Sequence, residues 1–130
     1  MNKKEQSRQT FDLQASKYDT TFYGKHARKI YPYLSFDIVY CNDSFHHYPN
    51  PQKAIAEIYR VLKIGGTLII GDTYLPVIAR QVMNYFIRFN KDGDVRIYSK
   101  KEMISFLEEL FHEIKWIKVS NSAYMIKGVK

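Results

Sequence analysis

The 130-residue sequence contains a single cysteine, Cys41, so no disulfide bond can form within the chain. No apolar run reaches the length that crosses a bilayer, and the longest, around 67–70, has the length of a strand. The first ten residues, MNKKEQSRQT, contain no apolar stretch typical of secretory signals. These absences predict a cytoplasmic chain without a membrane partner, because unpaired cysteine is typical of reducing compartments.

Tight clusters of basic residues are also absent, although the formal net charge is +7. The lysines and arginines are scattered along the chain, whereas binding to phosphates needs them on one face. The distribution therefore favours a solvated surface over a nucleic-acid interface. A basic module associated with nucleic acid stays open as the weakest alternative.

Glycine is scarce in the first half of the chain, where Gly24 is the only one before Gly65. A loop that brings its backbone close to a nucleotide usually needs several glycines, so no such loop is encoded there. Hydrophobic residues nevertheless make up 45% of the chain, which predicts a packed core rather than a disordered segment.

A strand–helix–strand unit is predicted between residues 36 and 70. FDIVYC (36–41) is nearly continuously apolar, the pattern of a strand covered on both faces. Asn50 and Pro51 are typical of a helix start, and Gly65-Gly66 is expected to end that helix before a second strand at 67–70. Two strands and a helix in about 35 residues predict a right-handed parallel crossover.

Helices and a terminal hairpin are predicted on either side of this unit. Two short helices are expected within 5–34, and a further helix over 77–89. Ser99 and Glu102 form a capping-box pattern that predicts another helix start. Strands at 113–120 and 123–129, joined by a short turn, predict an antiparallel hairpin. The fold class is therefore α/β.

Four segments of the sequence form a recognisable pattern: FDLQASKYD (11–19), SFDIVYCNDSFHHYPNP (35–51), AIAEIYRVLKIGGTLIIGD (54–72) and YSKKEMISFLEELFHEI (98–114). They resemble the class I S-adenosylmethionine-dependent methyltransferases that act on small molecules. The third segment, with Arg-Val-Leu-Lys-x-Gly-Gly, is the most specific, and it is similar to the helix, turn and fifth strand of that family. The others are similar to its N-terminal helix, its fourth strand with the following loop, and its last helix.

The family's glycine-rich cofactor loop, which follows its first strand, has no counterpart in this sequence. The resemblance therefore implies a single truncated domain over 1–130, with N-terminal helices in 1–34 and the C-terminal half of a Rossmann-like sheet in 35–130. It implies methyl transfer from S-adenosylmethionine to a small-molecule acceptor, with weak cofactor binding by this chain. The fourth strand would lie at a sheet edge, so we expect a homodimer to complete the sheet. A non-catalytic remnant that binds a partner through this edge is the alternative.

Candidate site residues lie mainly in the loop after the first predicted strand. A histidine just beyond a parallel strand lies where α/β sheets bind ligands, so His46 and His47 are the candidate catalytic residues. Packing within the loop would explain them equally. Adjacent histidines on a regular element seldom face one ion, and no metal is expected.

The resemblance also implies cofactor contacts from Tyr18, Asn42, Asp43 and Phe45. An Asx turn at Asn42 and Asp43, and simple packing of Tyr18, are the alternatives. Asp72 could face the acceptor, but a cap on the turn that follows it is preferred.

Overall fold

The computed structural model describes residues 29–30, 35–89 and 93–130. The chain divides into two units, 1–34 and 35–130, and the sheet belongs to the second unit. Lys29 and Ile30 are helical. The remainder of the predicted N-terminal helices, Tyr18 included, lies outside the described residues.

The described part of the second unit alternates strands and helices and ends in a hairpin. Its elements are β1 (Phe36–Asn42), a 3₁₀ turn (Phe45–His47), α1 (Pro51–Val61), β2 (Leu62–Thr73), α2 (Val77–Ile87), α3 (Lys100–Leu107), β3 (His112–Lys118) and β4 (Ala123–Val129).

The strands form one sheet in the order β1-β2-β4-β3. β1 and β2 are parallel, with Tyr40 opposite Ile69 and Cys41 opposite Ile70. β4 is antiparallel to both β2 and β3. The predicted α/β class, with a βαβ unit and a C-terminal antiparallel hairpin, is confirmed.

Local capping chemistry sets the starts of α1 and α3 where the sequence predicted them. The Oδ1 atom of Asn50 accepts a hydrogen bond from the backbone N–H of Lys53 at 2.9 Å. At α3, the Ser99 hydroxyl accepts from the Glu102 N–H at 3.2 Å, and the Glu102 carboxylate accepts from the Ser99 N–H at 2.7 Å. Each bond pairs a backbone N–H that the first turn of a helix leaves without a partner.

One face of the sheet forms the hydrophobic core with α1 and α3. Alternate residues of β2 and β4 point into this core because side chains of a strand alternate between its faces. The most deeply buried side chains of the core are Phe45, Ile55, Leu68, Ile70, Met103, Leu107 and Ile126. The core therefore contains side chains from the βαβ unit, from α3 and from the C-terminal hairpin.

The prediction that Gly65-Gly66 ends the helix is wrong. α1 ends at Val61, and Leu62 is already extended, so the helix passes directly into β2. The glycines instead lie inside β2 at an irregularity, where the register against β1 shifts between Phe36 and Ile38. Gly65 has φ of +78°, and a Cβ at Gly66 would lie 2.8 Å from the carbonyl oxygen of Lys63. Both glycines are required by this bulge rather than by a helix end.

The prediction that β1 is covered on both faces is also wrong for the described residues. Ile38 and Tyr40 are 59% and 76% exposed, whereas Val39 and Cys41 on the core face are half-buried. β1 has one neighbour in the described sheet, β2, and only its Val39 and Cys41 side packs against the core in the part of the chain that the structure describes. The apolar composition of a strand does not by itself determine how many of its sides are covered.

A search of the described helices finds none that is both long enough and apolar enough to cross a membrane.

Candidate active site

The loop after β1 reverses the chain through Asp43 and continues into the 3₁₀ turn. Asp43 has φ of 48°, a left-handed conformation that aspartate tolerates better than most residues. Its N–H donates to the carbonyl oxygen of Gly71 at 3.0 Å. Phe45 is fully buried, with its ring centroid 5.3 Å from that of Tyr48 and 5.8 Å from that of Tyr98. The hydrogen bond of Asp43 and the buried ring of Phe45 thus hold the turn in place. The two histidines after Phe45 lie beyond the carboxyl ends of β1 and β2.

His46 is held by the buried carboxylate of Asp72, at the carboxyl end of β2. The Nδ1 atom of His46 lies 2.5 Å from Oδ1 of Asp72, and the His46 N–H donates to Oδ2 at 3.0 Å. Asp72 also accepts from the N–H of Thr73 at 2.7 Å and is 4% exposed. Because an ionised carboxylate only accepts, the Nδ1 atom carries the hydrogen. In the neutral ring, Nε2 therefore keeps a lone pair for another group.

Asp94 faces both histidines from the segment that precedes α3. Its Oδ1 atom lies 3.5 Å from Nε2 of His46 and 3.1 Å from Nδ1 of His47. The two imidazole centroids are 4.0 Å apart. The N–H groups of Val95 and Arg96 both donate to the carbonyl oxygen of His46, at 2.9 and 3.1 Å. The backbone thus ties Asp94 to the 3₁₀ turn.

Two clefts flank this group of side chains. One, of about 290 Å³, opens at the carboxyl ends of β1 and β2 and is lined by Tyr40, Cys41, Asn42, Asp43, Ile69, Gly71, Asp72, Val119, Ala123, Tyr124 and Met125. The other, also of about 290 Å³, is mostly apolar in its lining residues: Met83, Phe86, Ile87, Phe89 and Asp94. His46 bonds to Asp72, which lines the first cleft, and faces Asp94, which lines the second.

A third hollow, of about 390 Å³, is lined by residues of α3 and by the residue just after it. These are Lys100, Lys101, Ile104, Ser105 and Glu108. None of them contacts the histidines through a described hydrogen bond or ion pair, so this hollow is not part of the site.

The sequence-predicted site residues fall into three groups. His46 and His47 lie side by side in the 3₁₀ turn. Asn42 and Asp43 are exposed at the rim of the first cleft, where the Asn42 amide donates to the Asp43 carboxylate at 3.1 Å. Phe45 packs in the core with no exposed surface, so packing accounts for its position. The cofactor roles given to these residues stay predictions.

Sequence reasoning missed the bond between Asp72 and His46, and it missed Asp94 altogether. The preferred role of Asp72, a cap on the turn after β2, describes its bond to Thr73 but not its bonds to His46. The two partners are 26 residues apart, and the only signal was a carboxylate at the end of an apolar strand. The argument that neighbouring histidines rarely face one point does not hold here, because both rings face Asp94.

Burial keeps two other polar groups near the first cleft protonated. Burial raises the pKa of the Cys41 thiol, against the opposing effect of a hydrogen bond with Tyr48, as expected of an inert half-buried cysteine. Burial, followed by the charge of Asp72, raises the pKa of the Tyr124 hydroxyl well above its ordinary value. Neither group is a nucleophile at neutral pH.

Together these features describe an α/β domain of Rossmann type with a histidine–carboxylate site beyond the carboxyl ends of its parallel strands. Residues 3–70, more than half of the chain, match the family described as "Methyltransferase domain". The chain therefore belongs to the methyltransferase domain family, and the resemblance seen in the sequence is confirmed.

Two curated relatives match parts of the chain. The uncharacterized methyltransferase YcgJ of Bacillus subtilis is 33% identical over 92 residues, which are 66% of this chain and 36% of that protein. The 27-O-demethylrifamycin SV methyltransferase of Amycolatopsis mediterranei is 44% identical over 45 residues, 35% of this chain and 16% of that protein. The chain thus spans about a third of the first relative and less of the second.

Solved structures show the same fold at low sequence identity. The crystal structure of YcgJ covers 74% of this chain and 64% of its own, with a TM-score of 0.60 and 18% identity. Phosphoethanolamine N-methyltransferase 2 of Haemonchus contortus, solved in complex with S-adenosyl-L-methionine, gives a TM-score of 0.60 at 13% identity. It covers 73% of this chain and 33% of its own.

Proposed function

We propose that the chain takes part in methyl transfer from S-adenosylmethionine to a hydroxyl group of a small-molecule acceptor. The observation that carries the proposal is the His46 imidazole, which is held by buried Asp72 at the first cleft and faces Asp94 at the second. Membership of the methyltransferase domain family supports the reaction class. A relative whose name describes methylation of 27-O-demethylrifamycin SV supports an oxygen acceptor.

The first cleft fits part of the cofactor. Asn42 and Asp43 at its rim offer an amide and a carboxylate to the charged amino-acid end of the cofactor. A Cβ at Gly71 would lie 2.9 Å from Oδ1 of Asn42, so glycine keeps this side of the cleft open. The volume of about 290 Å³ is at the low end of the roughly 300–1,000 Å³ of small-molecule sites, and the sequence has no glycine-rich loop. We therefore expect weak cofactor binding by the 130-residue chain.

When bound, S-adenosylmethionine supplies an electrophilic methyl group on a sulfonium that leaves readily. The chain's part is to align the acceptor and to take its proton. The apolar second cleft, lined by Phe86 and Phe89, would hold the body of the acceptor. Nε2 of His46 would accept the hydroxyl proton of the acceptor, and Asp72 would stabilise the resulting imidazolium. Asp72 is thus a positioning residue, and His46 is the proposed base.

The test combines binding with product formation on the 130-residue chain. Calorimetric titration with S-adenosylmethionine is expected to give saturable, weak binding. Incubation with a panel of phenols and polyketide alcohols should then yield S-adenosylhomocysteine, measured by mass spectrometry. His46→Ala is expected to lower that yield by about 10²–10⁴-fold, the usual contribution of general base catalysis, with cofactor affinity little changed. His112→Ala, at an exposed histidine in β3, is the matched control.

A second candidate function is a non-catalytic module that pairs with a partner strand. The exposed apolar side chains of β1, Ile38 and Tyr40, favour it. No heat on titration with S-adenosylmethionine, together with association through β1, would support this module and contradict the enzyme. A product yield that His46→Ala leaves unchanged would contradict the role given to His46.

A further inference from the structure

The imidazoles of His46 and His47 and the carboxylate of Asp94 bring three ligand-type atoms together. Each residue offers one atom, and these atoms lie within 4.8 Å of one another. We propose that this cluster binds a divalent transition-metal ion of the Zn²⁺, Co²⁺ and Ni²⁺ class. The proposal goes beyond methyl transfer and depends only on the geometry of these three residues.

The distances suit a single ion of this size. Ligand atoms bound at about 2.1 Å in a tetrahedron lie about 3.4 Å from one another. The Oδ1 atom of Asp94 is 3.5 Å from Nε2 of His46 and 3.1 Å from Nδ1 of His47. The two imidazole nitrogens lie within 4.8 Å of each other, so a shared ion would draw the rings together from any separation near that limit. At least one coordination position would be left for water or another ligand.

The hydrogen bond between Nδ1 of His46 and Asp72 leaves the other ring nitrogen, Nε2, available to bind a cation. Because Asp72 takes the hydrogen on Nδ1, the Nε2 atom of the neutral ring presents a lone pair to Oδ1 of Asp94. Two acceptors that face each other at 3.5 Å repel unless a positive charge lies between them. A metal ion bound between the two atoms would provide that charge.

The surroundings of the cluster resemble the outer support that metal-binding histidines usually have. Asp72 accepts from the far nitrogen of His46, which fixes the orientation of the ring. The N–H groups of Val95 and Arg96 hold the chain beside Asp94 against the carbonyl oxygen of His46. Two nitrogens and one carboxylate favour transition metals, whereas Mg²⁺ and Ca²⁺ prefer oxygen ligands alone.

The test uses the untagged 130-residue chain titrated with Co²⁺. The expected result is one ion per chain, with the intense visible absorption of low-coordinate Co²⁺, displaced by Zn²⁺ but not by Mg²⁺. His47→Ala and Asp94→Asn should each weaken binding at least about tenfold, and Asp72→Asn by about 10- to 100-fold. His112→Ala is the control, and far-ultraviolet circular dichroism establishes that each variant is folded.

Several results would overturn the proposal. These are no saturable Co²⁺ binding, binding that survives loss of both His47 and Asp94, or an equal loss with His112→Ala. The measurement needs neither S-adenosylmethionine nor an acceptor, so its failure is distinct from a failure of the proposed methyl transfer. Since the ion would occupy Nε2 of His46, metal binding should also suppress any transfer that uses this atom as a base.

Discussion

The Nζ atom of Lys130 lies 2.6 Å from the carbonyl oxygen of Tyr59, in the last turn of α1. The same ammonium group donates to the carbonyl oxygen of Leu62 at 2.7 Å and lies 4.5 Å from the centre of the Tyr59 ring. Carbonyl groups at the end of a helix have no partner within the helix, and cations are favourable beside them. A side chain nearly seventy residues away thus completes the end of α1.

Lys130→Met is expected to lower the free energy of unfolding by about 1–2 kcal/mol, because two hydrogen bonds from a charged donor are lost. Urea denaturation followed by circular dichroism measures the change. Lys53→Met, at an exposed position in the first turn of the same helix, is the control and should change stability by less than about 0.5 kcal/mol. Equal effects of the two changes would contradict the capping role of Lys130.

Gly128→Ala is expected to destabilise the chain by about 1–3 kcal/mol through overpacking. A Cβ at this position would lie 2.9 Å from Cβ of Phe111 and 3.3 Å from Cδ2 of Leu107. Thermal and urea denaturation measure the loss. Lys127→Ala, on the opposite face of β4, separates this effect from the strand preference of alanine. A variant as stable as the wild type would mean that Phe111 moves aside freely.

Glu102→Gln should make stability less dependent on pH on the acid side. Burial opposes ionisation of this carboxyl, but hydrogen bonds from Ser99 and pairing with Arg96 outweigh it and leave its pKa below the ordinary value. A lowered pKa contributes stability above the unfolded-state pKa of about 4.3, and this contribution is lost as pH falls through the folded-state pKa. The wild type should therefore be more stable than Glu102→Gln near pH 6, and the difference should shrink towards pH 3. A difference that is constant over this range would contradict the argument.

Association through β1 is expected because the strand presents an unpaired edge within the described sheet and exposed apolar side chains. Ile38→Lys should weaken it, since a charge on an edge strand opposes pairing. Sedimentation velocity at rising concentration gives the readout. Ile117→Lys in β3, at the other edge of the described sheet, is the control. A wild-type chain that stays monomeric at high concentration would refute the expectation.

Helix starts could be predicted from the sequence because their chemistry is local. The hydrogen bond from Lys53 to Asn50 and those between Ser99 and Glu102 each join residues three positions apart. The strands at 67–70 and 123–129 were predicted from local composition as well, and β2 and β4 contain them.

Features that depend on distant contacts could not be predicted in this way. The end of α1 involves Lys130, and the glycine pair that looked like a helix stop fits a bulge beside Phe36. At the site, the position just after β1 indicated His46 and His47. Their partners, Asp72 and Asp94, come from the end of β2 and from the segment before α3. No periodicity encodes contacts of that kind.

The backbone of His46 has a role that its ring does not reveal. Its carbonyl oxygen accepts the amides of Val95 and Arg96, while its N–H and ring are both bonded to Asp72. A molecule that rotates or displaces this residue must disturb the chain on either side. The amide chemical shifts of Val95 and Arg96 in nuclear magnetic resonance spectra should therefore change when any compound or ion binds at His46.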